Sequence, residues 1–385
     1  MANPFDALTL ETLRTRTSAK WRVYQEDVLP LWVAEMDVQL APAIVETLSA
    51  VVRDGDMGYP GSWPYREALA SYAHDTWGWD VDVADMRPVS GVIAAYTDII
   101  VEATDAGSEA VVTPPVYPPF YSYLRQAGRE IVEAPLRADM RLDLDALERA
   151  FVTARSGGRR AAFLLCNPHN PGGTVHTREE LTQVAQLAAR HDVQVVADEI
   201  HAPLVYGAFT GEGPTFTPYL TVDPRGVAIH AASKGWNLAA VPAGIAVFGP
   251  EVRALRDSYN AGAHHGPAQL GAIAQTVAYN EGREWLADVM AGLDQQRRLA
   301  GELLARHLPA VGYRIPDSTY LTWLDCRELG LGDDPALAFR ERGRVAFNSG
   351  HTFGTGGAGH VRMNIATSAE VLEEAVRRMA ATLAA

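Results

Sequence analysis

Lys234 is the residue in this chain best placed for covalent chemistry. Only two of the 385 residues are lysine, Lys20 and Lys234. Lys234 follows the apolar stretch Val227-Ala228-Ile229-His230-Ala231-Ala232, which reads as a buried strand. A lysine there either snorkels to the surface or keeps its amine out of water. A desolvated amine has a lowered pKa and can form a Schiff base with a carbonyl. Three more polar residues follow apolar runs: Tyr117 after 110–113, Asn170 after 161–166 and Asp198 after 193–197. Ser90-Gly91-Val92-Ile93 leads into a helical period (Ile93, Tyr96, Ile100), and a glycine start leaves backbone N–H groups facing outward, a seat for phosphate. Arg362 lies on an alternating, strand-like run, 361–365.

The elements that must hold these residues alternate. Strands are expected at 110–113, 130–134, 161–166, 193–197, 227–232 and 243–248. Helices are expected at 42–52, 64–76, from 92, from about 114 to 126, 144–154, 178–190, about 251–260, 267–280 and 283–306. Strands alternating with helices imply a mainly parallel sheet covered on both faces. Ligands of such sheets sit beyond the carboxyl ends of the strands, where Tyr117, Asn170, Asp198 and Lys234 all fall. Beyond 281 the pattern changes to fewer strands (321–325, 345–347, 361–365) and helices at 335–342 and from Ser368. These strands are expected to be antiparallel. The fold class is therefore α/β, a large domain with a helix-covered parallel sheet plus a smaller α+β C-terminal domain. The expected division is an N-terminal segment 1–45, a large domain 46–280 and a small domain 281–385.

Composition narrows the function. Apolar residues are 48% and charged residues 21%, as in ordinary globular chains. A net charge of −14 disfavours nucleic acid or an anionic membrane as the main partner. Cys166 and Cys326 each sit in an apolar run, read as reduced core thiols rather than a disulfide framework. No metal-type spacing of Cys and His appears. The start lacks a secretory pattern, and no apolar run nears the roughly 20 residues that span a bilayer, so a cytoplasmic protein is expected. Gly354-Thr355-Gly356-Gly357-Ala358-Gly359 has dinucleotide-type glycine spacing, but a strand-like run follows it instead of a helix. It is read as a flexible loop that positions Arg362. His264-His265 is read as a turn or interface pair.

A Schiff-base lysine, an acid at a strand end and a phosphate-binding helix start together suggest pyridoxal phosphate. Its ring needs a carboxylate to keep the pyridine nitrogen protonated, or it is a poor electron sink. The wording of these parts is similar to the fold-type I pyridoxal phosphate enzymes of the class I/II aminotransferase superfamily. Within it the chain resembles the MalY/PatB-type carbon–sulfur β-lyases (cystathionine β-lyase-like). The resemblance runs from Lys20-Trp21 to Ile365. It rests on Trp32-Val33-Ala34-Glu35-Met36-Asp37, Asn167-Pro168-His169-Asn170-Pro171, Asp198-Glu199-Ile200-His201, Ser233-Lys234, Thr319-Tyr320-Leu321-Thr322-Trp323-Leu324-Asp325 and Val361-Arg362-Met363-Asn364.

The resemblance implies roles residue by residue. Lys234 would hold the cofactor and later move the Cα proton, and Asp198 would pair with the pyridine nitrogen. Tyr117 would stack on the ring and Asn170 would bond its phenolic oxygen. His201 stands where many relatives have tyrosine. Gly91, Val92, Ile93 and Ser233 would take the phosphate, and Tyr59 would reach the phosphate of the other subunit of a homodimer. Arg362 would clamp the substrate α-carboxylate, with Val33 and Ala34 closing over it. The implied reaction is α,β-elimination on L-cystathionine or other L-cysteine S-conjugates, giving thiol, pyruvate and ammonia. An aminotransferase with the same residues is the alternative, and a regulator retaining the fold a further one. Two departures stand out. No basic residue occurs from Gly235 to Pro250, where many relatives place an arginine for the phosphate. Gly235-Trp236 replaces an expected Thr-Phe, so Trp236 is expected to reshape the pocket.

Overall fold

The computed structural model describes residues 3–61, 64–259 and 266–383. His264-His265 lies outside the described residues. The large sheet has seven strands, in the order Met86–Val89, Gly244–Phe248, Val227–His230, Val193–Asp198, Ala161–Cys166, Glu109–Val112, Glu130–Glu133. The last five are mutually parallel, and Gly244–Phe248 runs antiparallel to both its neighbours. The parallel sheet expected from the alternation is present. The edge strand Met86–Val89 was not expected, because its four residues show no alternation. Pro88 within it is tolerated at an edge, where one side of the ladder needs no donor.

The central strands are apolar throughout because both faces are covered. Ala161–Cys166 is buried at every position. Leu164 and Cys166 pack with the Val92–Ala103 helix, while Phe163 and Leu165 pack with Leu144–Arg155 and Arg178–His191. The Arg178–His191 helix starts in a capping box of Thr177 and Glu180 and ends on Asp192 in the left-handed region, φ 53°. From Glu109–Val112 the chain steps outward to Glu130–Glu133, then returns to Ala161–Cys166 on the other side. This reversal opens a crevice at the strands' carboxyl ends.

A second sheet of four antiparallel strands runs in the order Asn348–Ser349, His360–Asn364, Leu321–Asp325, Gly312–Tyr313, confirming the antiparallel C-terminal unit. The single strand expected at 345–347 is two. Val345–Ala346 pairs in parallel with Leu29–Pro30, and Asn348–Ser349 joins the four-stranded sheet. Buried Phe347 lies at the change of partner. The glycine run 354–359 is not a loose loop. Gly359 N–H donates to Asp333 O at 2.7 Å, Cys326 N–H to Gly359 O at 2.9 Å and Val116 N–H to Phe353 O at 2.9 Å. Among the described residues no helix is long and apolar enough to cross a membrane.

The N-terminal segment is fastened by a buried ion pair in which the second lysine takes part. Lys20, 2% exposed, lies 2.8 Å from Asp37 and donates to Glu35 O at 3.1 Å. Trp21 Nε1 donates to Asp37 at 3.3 Å, and Arg16 donates to Met36 O and Val38 O. The sequence reading gave Lys20 no role, since a lone lysine after an irregular stretch carries no periodic signal. Removing one member strands the other's charge in a dry site, which costs about 3–5 kcal/mol. Lys20→Met is therefore expected to lower stability by about that amount in a urea melt. The double variant Lys20→Met/Asp37→Leu should recover part of the loss; a double variant less stable than Lys20→Met would refute this account of the pair.

Candidate active site

A cavity of about 270 Å³ opens at the carboxyl ends of the parallel strands. Its walls include Lys234, Asp198, Tyr117, Asn170, His201, Ser233, Gly91, Val92, Ile93 and Ala34. Arg362 stands just behind Asn170. Its Nη1 donates to Asn170 Oδ1 at 3.1 Å, and its Nη2 donates to Trp32 O at 3.2 Å and Asn348 Oδ1 at 2.5 Å. The guanidinium also lies 5.2 Å from the Phe353 ring centre. Val33 is not in the wall; its O accepts from Asn364 Nδ2 at 2.7 Å, beside the lining residue Ala34. Tyr59 is 95% exposed and does not line this chain's own cavity.

The Val227–His230 strand ends earlier than expected, and Lys234 sits in the turn after it. That turn is held from below and from the side. Gln275 Oε1 accepts from Ala232 N–H at 2.8 Å and Tyr65 Oη at 2.6 Å, while its Nε2 donates to Ala243 O at 2.9 Å. Asn237, at φ 57°, grips Met36 through both amide atoms, accepting from Met36 N–H at 2.9 Å and donating to Met36 O at 3.0 Å. The Lys234 amine donates to Ala34 O at 3.1 Å, and Tyr320 Oη donates to the same oxygen at 3.1 Å.

Trp236 does not reshape the pocket. It is fully buried away from it, its Nε1 donating to Gly282 O at 2.8 Å and its ring packed edge-on to Tyr72 and Tyr279. Gly282 makes the space, since a Cβ there would lie 2.4 Å from Trp236 Nε1. Gly235 is likewise fitted to its neighbour, with a Cβ position only 3.1 Å from Pro203. The Gly-Trp pair is thus a packing solution of the domain core.

Asp198 closes its strand, 5% exposed, with Oδ1 accepting from Ile200 N–H at 3.2 Å. His201 is 3% exposed, and its Nδ1 has no hydrogen-bond partner among the described residues. The Val92–Ala103 helix begins on Gly91 without a side-chain cap, so its first N–H groups face the cavity unsatisfied. Among the described lining residues the basic side chains are Lys234 and His201 alone. Sequence reasoning missed Cys166, Ala239, Pro242 and Ala243 in the walls, and Gln275, Asn237 and Asn348 behind them. Cys166 was detectable, being the last residue of an apolar strand and on the Asp198 side of the sheet. The three amides carry no sequence signal.

Burial sets the electrostatics. The Asp198 carboxyl is pushed up to about 7, mainly by burial and further by Glu199, against the pull of the Ile200 N–H and Lys234. The Lys234 amine is pushed down to about 8 by burial and by Arg362, against Asp198 and Glu35. Burial lowers Arg362 to about 10, still cationic at neutral pH, and holds the His201 imidazole well below its usual range and neutral. Both central groups therefore oppose folding in the cofactor-free protein. An unfolded chain releases the Asp198 proton near 3.8 and the folded one near 7, so stability falls as pH rises across that window. An unfolded Lys234 takes its proton near 10.5 and the folded one near 8, so stability falls as pH drops across that window. Asp198→Asn and Lys234→Met are each expected to stabilise the cofactor-free protein at pH 8, by on the order of 2 kcal/mol. The gain from Asp198→Asn should vanish below about pH 4. Calorimetric melts from pH 4 to 9 test both, and a loss of stability at pH 8 in either variant would contradict the account.

Comparison with known proteins agrees with this geometry. Residues 37–379 match the family model described as aminotransferase class I and II. The chain is 47% identical to a putative cystathionine beta-lyase of Mycobacterium leprae, over 99% of this chain and 98% of that one. It is 34% identical to the cystathionine beta-lyase of Corynebacterium glutamicum, over 97% and 99%. Among solved structures, it is similar to a putative PLP-dependent beta-cystathionase of Corynebacterium diphtheriae, with a TM-score of 0.89, 32% identity and 98% of each chain covered. With a family match across most of its length and relatives this similar end to end, the chain belongs to the class I and II aminotransferase family.

Proposed function

We propose that this chain is a pyridoxal phosphate-dependent carbon–sulfur β-lyase that cleaves L-cystathionine and related L-cysteine S-conjugates to thiol, pyruvate and ammonia. The observation that carries the proposal is the shared cavity of Lys234 and Asp198, both desolvated, beside an uncapped helix start. The fit to the cofactor rests on three groups with unmet needs: the free N–H groups after Gly91, the unpartnered His201 Nδ1 and the buried Asp198 carboxyl. The relatives named cystathionine beta-lyase support the reaction class.

When bound, pyridoxal phosphate supplies an aldehyde for an amine and a protonated ring that takes up the electron pair of a broken Cα–H bond. The chain's residues do the rest. Lys234 would hold the aldehyde at rest, and once displaced by the substrate's amine its own amine, lowered to about 8 by burial, would be a competent base for the Cα proton. Asp198 would hold the pyridine nitrogen in its charged form, a partner that would stabilise the carboxylate in return. Tyr117, in the cavity wall, would cover the ring. Asn170 commits its Oδ1 to Arg362, which leaves Nδ2 to donate to the phenolic oxygen. His201, neutral and with an unpartnered Nδ1, would offer the cofactor a further polar contact. Val92 and Ile93 N–H groups, Gly91 and Ser233 would seat the phosphate. Arg362 clamps the α-carboxylate as a fork, prealigned by Asn170, Asn348 and Trp32. Val33 and Ala34 close the site from the N-terminal segment and keep water out. The substrate is a small amino acid, and the setting a cytoplasmic homodimer in which Tyr59 reaches the partner's phosphate. Exposed Val45, Val52, Met57 and Tyr59, close together in the chain, support a covered face there.

Purified protein mixed with L-cystathionine is expected to release pyruvate continuously, with a visible absorption band that Lys234→Ala abolishes. Conversion of the cofactor to its amine form in one turnover, with keto acid and no thiol, would establish the aminotransferase reading instead. Arg362→Ala should raise KM on the order of 100-fold through loss of the charged fork. An unchanged KM would remove Arg362 from substrate binding.

A further inference from the structure

Behind Asp198 lies a second ionisable pair that the reaction above does not use. Glu199 directly follows the strand that Asp198 closes and does not line the cavity that Asp198 lines. Glu199 is fully buried. Its Oε1 accepts from Asn167 Nδ2 at 2.8 Å and from Tyr219 N–H at 2.9 Å. Its Oε2 lies 3.0 Å from Nε2 of His230, itself 1% exposed. The two atoms are off the line of a hydrogen bond, and among the described residues Glu199 Oε2 and both ring nitrogens of His230 have no hydrogen-bond partner. The His230 ring sits beside Trp77 and Trp79, with centroids 5.3 and 5.6 Å away and planes tilted 30° and 42°.

This placement is informative because all three strand ends of the site meet here. Asn167 opens the turn that carries Asn170, Glu199 follows Asp198, and His230 ends the strand that leads to Lys234. A buried carboxylate needs a counter-charge, and among the described residues His230 is the only basic side chain within ion-pair distance of Glu199. Indole rings also favour a cation beside them. The other ionisable groups nearby are already matched: Tyr219 Oη donates to Asp223, and Asp223 pairs with Arg225.

We propose that His230 is a positioning residue, an imidazolium that cancels the charge of Glu199 so that only Asp198 presents a carboxylate to the cofactor side of the sheet. The inference rests on the pyridoxal phosphate reading of the cavity. Its consequence is electrostatic. Glu199 already pushes the Asp198 carboxyl upward. Left uncompensated, it would push the Asp198 carboxyl further upward and weaken its hold on a pyridinium.

The test uses the holoenzyme and follows the pH midpoint of its visible band together with cofactor affinity. His230→Gln, which leaves Glu199 bare, is expected to move the midpoint upward by about one pH unit and to weaken cofactor binding about tenfold at pH 8. Adding Glu199→Gln should return both values to those of the wild type, because the charge requiring compensation is gone. A pair that serves only packing gives the opposite pattern, with unmoved midpoints and a double variant more damaged than either single one; that result overturns the proposal. Should His230→Gln fail to fold, nitrogen NMR of the His230 ring in the wild-type holoenzyme decides. Both ring nitrogens protonated at pH 8 supports the imidazolium, and a neutral ring overturns it. A wild-type protein with no visible band would count against the cofactor reading itself, a result distinct from either of these.

Discussion

Desolvation of one amine and one carboxyl at the ends of neighbouring strands is the constraint on which this structure turns. Water would keep Lys234 charged and Asp198 ionised. Burial brings the two pKa values to about 8 and about 7, so each group exchanges a proton near neutrality. Neither group could sustain this alone, because an isolated buried charge is expelled or neutralised. The sheet solves the problem by position. The strand ending at Asp198 pairs with the strand that leads to Lys234, placing the two groups across one gap. Arg362 adds positive potential from the other side without entering the wall.

The same constraint explains the effort spent on the N-terminal segment. Its backbone, not its side chains, completes the cavity. Ala34 O accepts from both Lys234 and Tyr320, so one carbonyl joins the turn of the large sheet to the start of the Leu321–Asp325 strand. Val33 O and Glu35 O accept from Asn364, and Met36 is gripped by Asn237. An irregular chain in a dry place must find partners for its backbone groups. Here those partners are the Asn364 amide of the four-stranded sheet and the Asn237 amide of the turn that carries Lys234, and the Lys20–Asp37 pair fixes the segment's course. Closure over a substrate would have to rearrange this set of bonds as a unit.

Much of this was legible in the sequence, for a physical reason. Fully buried parallel strands are short apolar runs, and the polar residue that follows each one has nowhere to go but the carboxyl edge. That logic located Lys234, Asp198, Asn170 and Tyr117 without knowledge of their contacts. It failed where position depends on a distant neighbour. Trp236 looked like a pocket residue because it follows Lys234, yet Gly282, far along the chain, leaves a hole that the indole fills. Gln275, Asn237 and Asn348 are invisible for the same reason, since an amide that braces a turn leaves no periodic trace. Lys20 was passed over because an ion pair needs both partners to be placed. The edge strand Met86–Val89 was missed because four residues with a proline carry too little pattern.

The structure also narrows the question raised by the absence of basic residues from Gly235 to Pro250. Among the described lining residues only Lys234 and His201 are basic, and burial keeps His201 neutral. In the proposed arrangement Lys234 is committed to the aldehyde and Arg362 to the substrate carboxylate. The phosphate then rests on backbone dipoles, the Ser233 hydroxyl and whatever the partner subunit supplies. A helix start provides about half a positive charge, less than a phosphate carries. A site of this kind holds its cofactor through many weak donors in fixed positions, so its strength depends on how rigidly the turn around Lys234 and the start of the Val92–Ala103 helix are held. That places unusual weight on Gln275, which ties Ala232, one residue before Ser233, to Ala243 in the cavity wall.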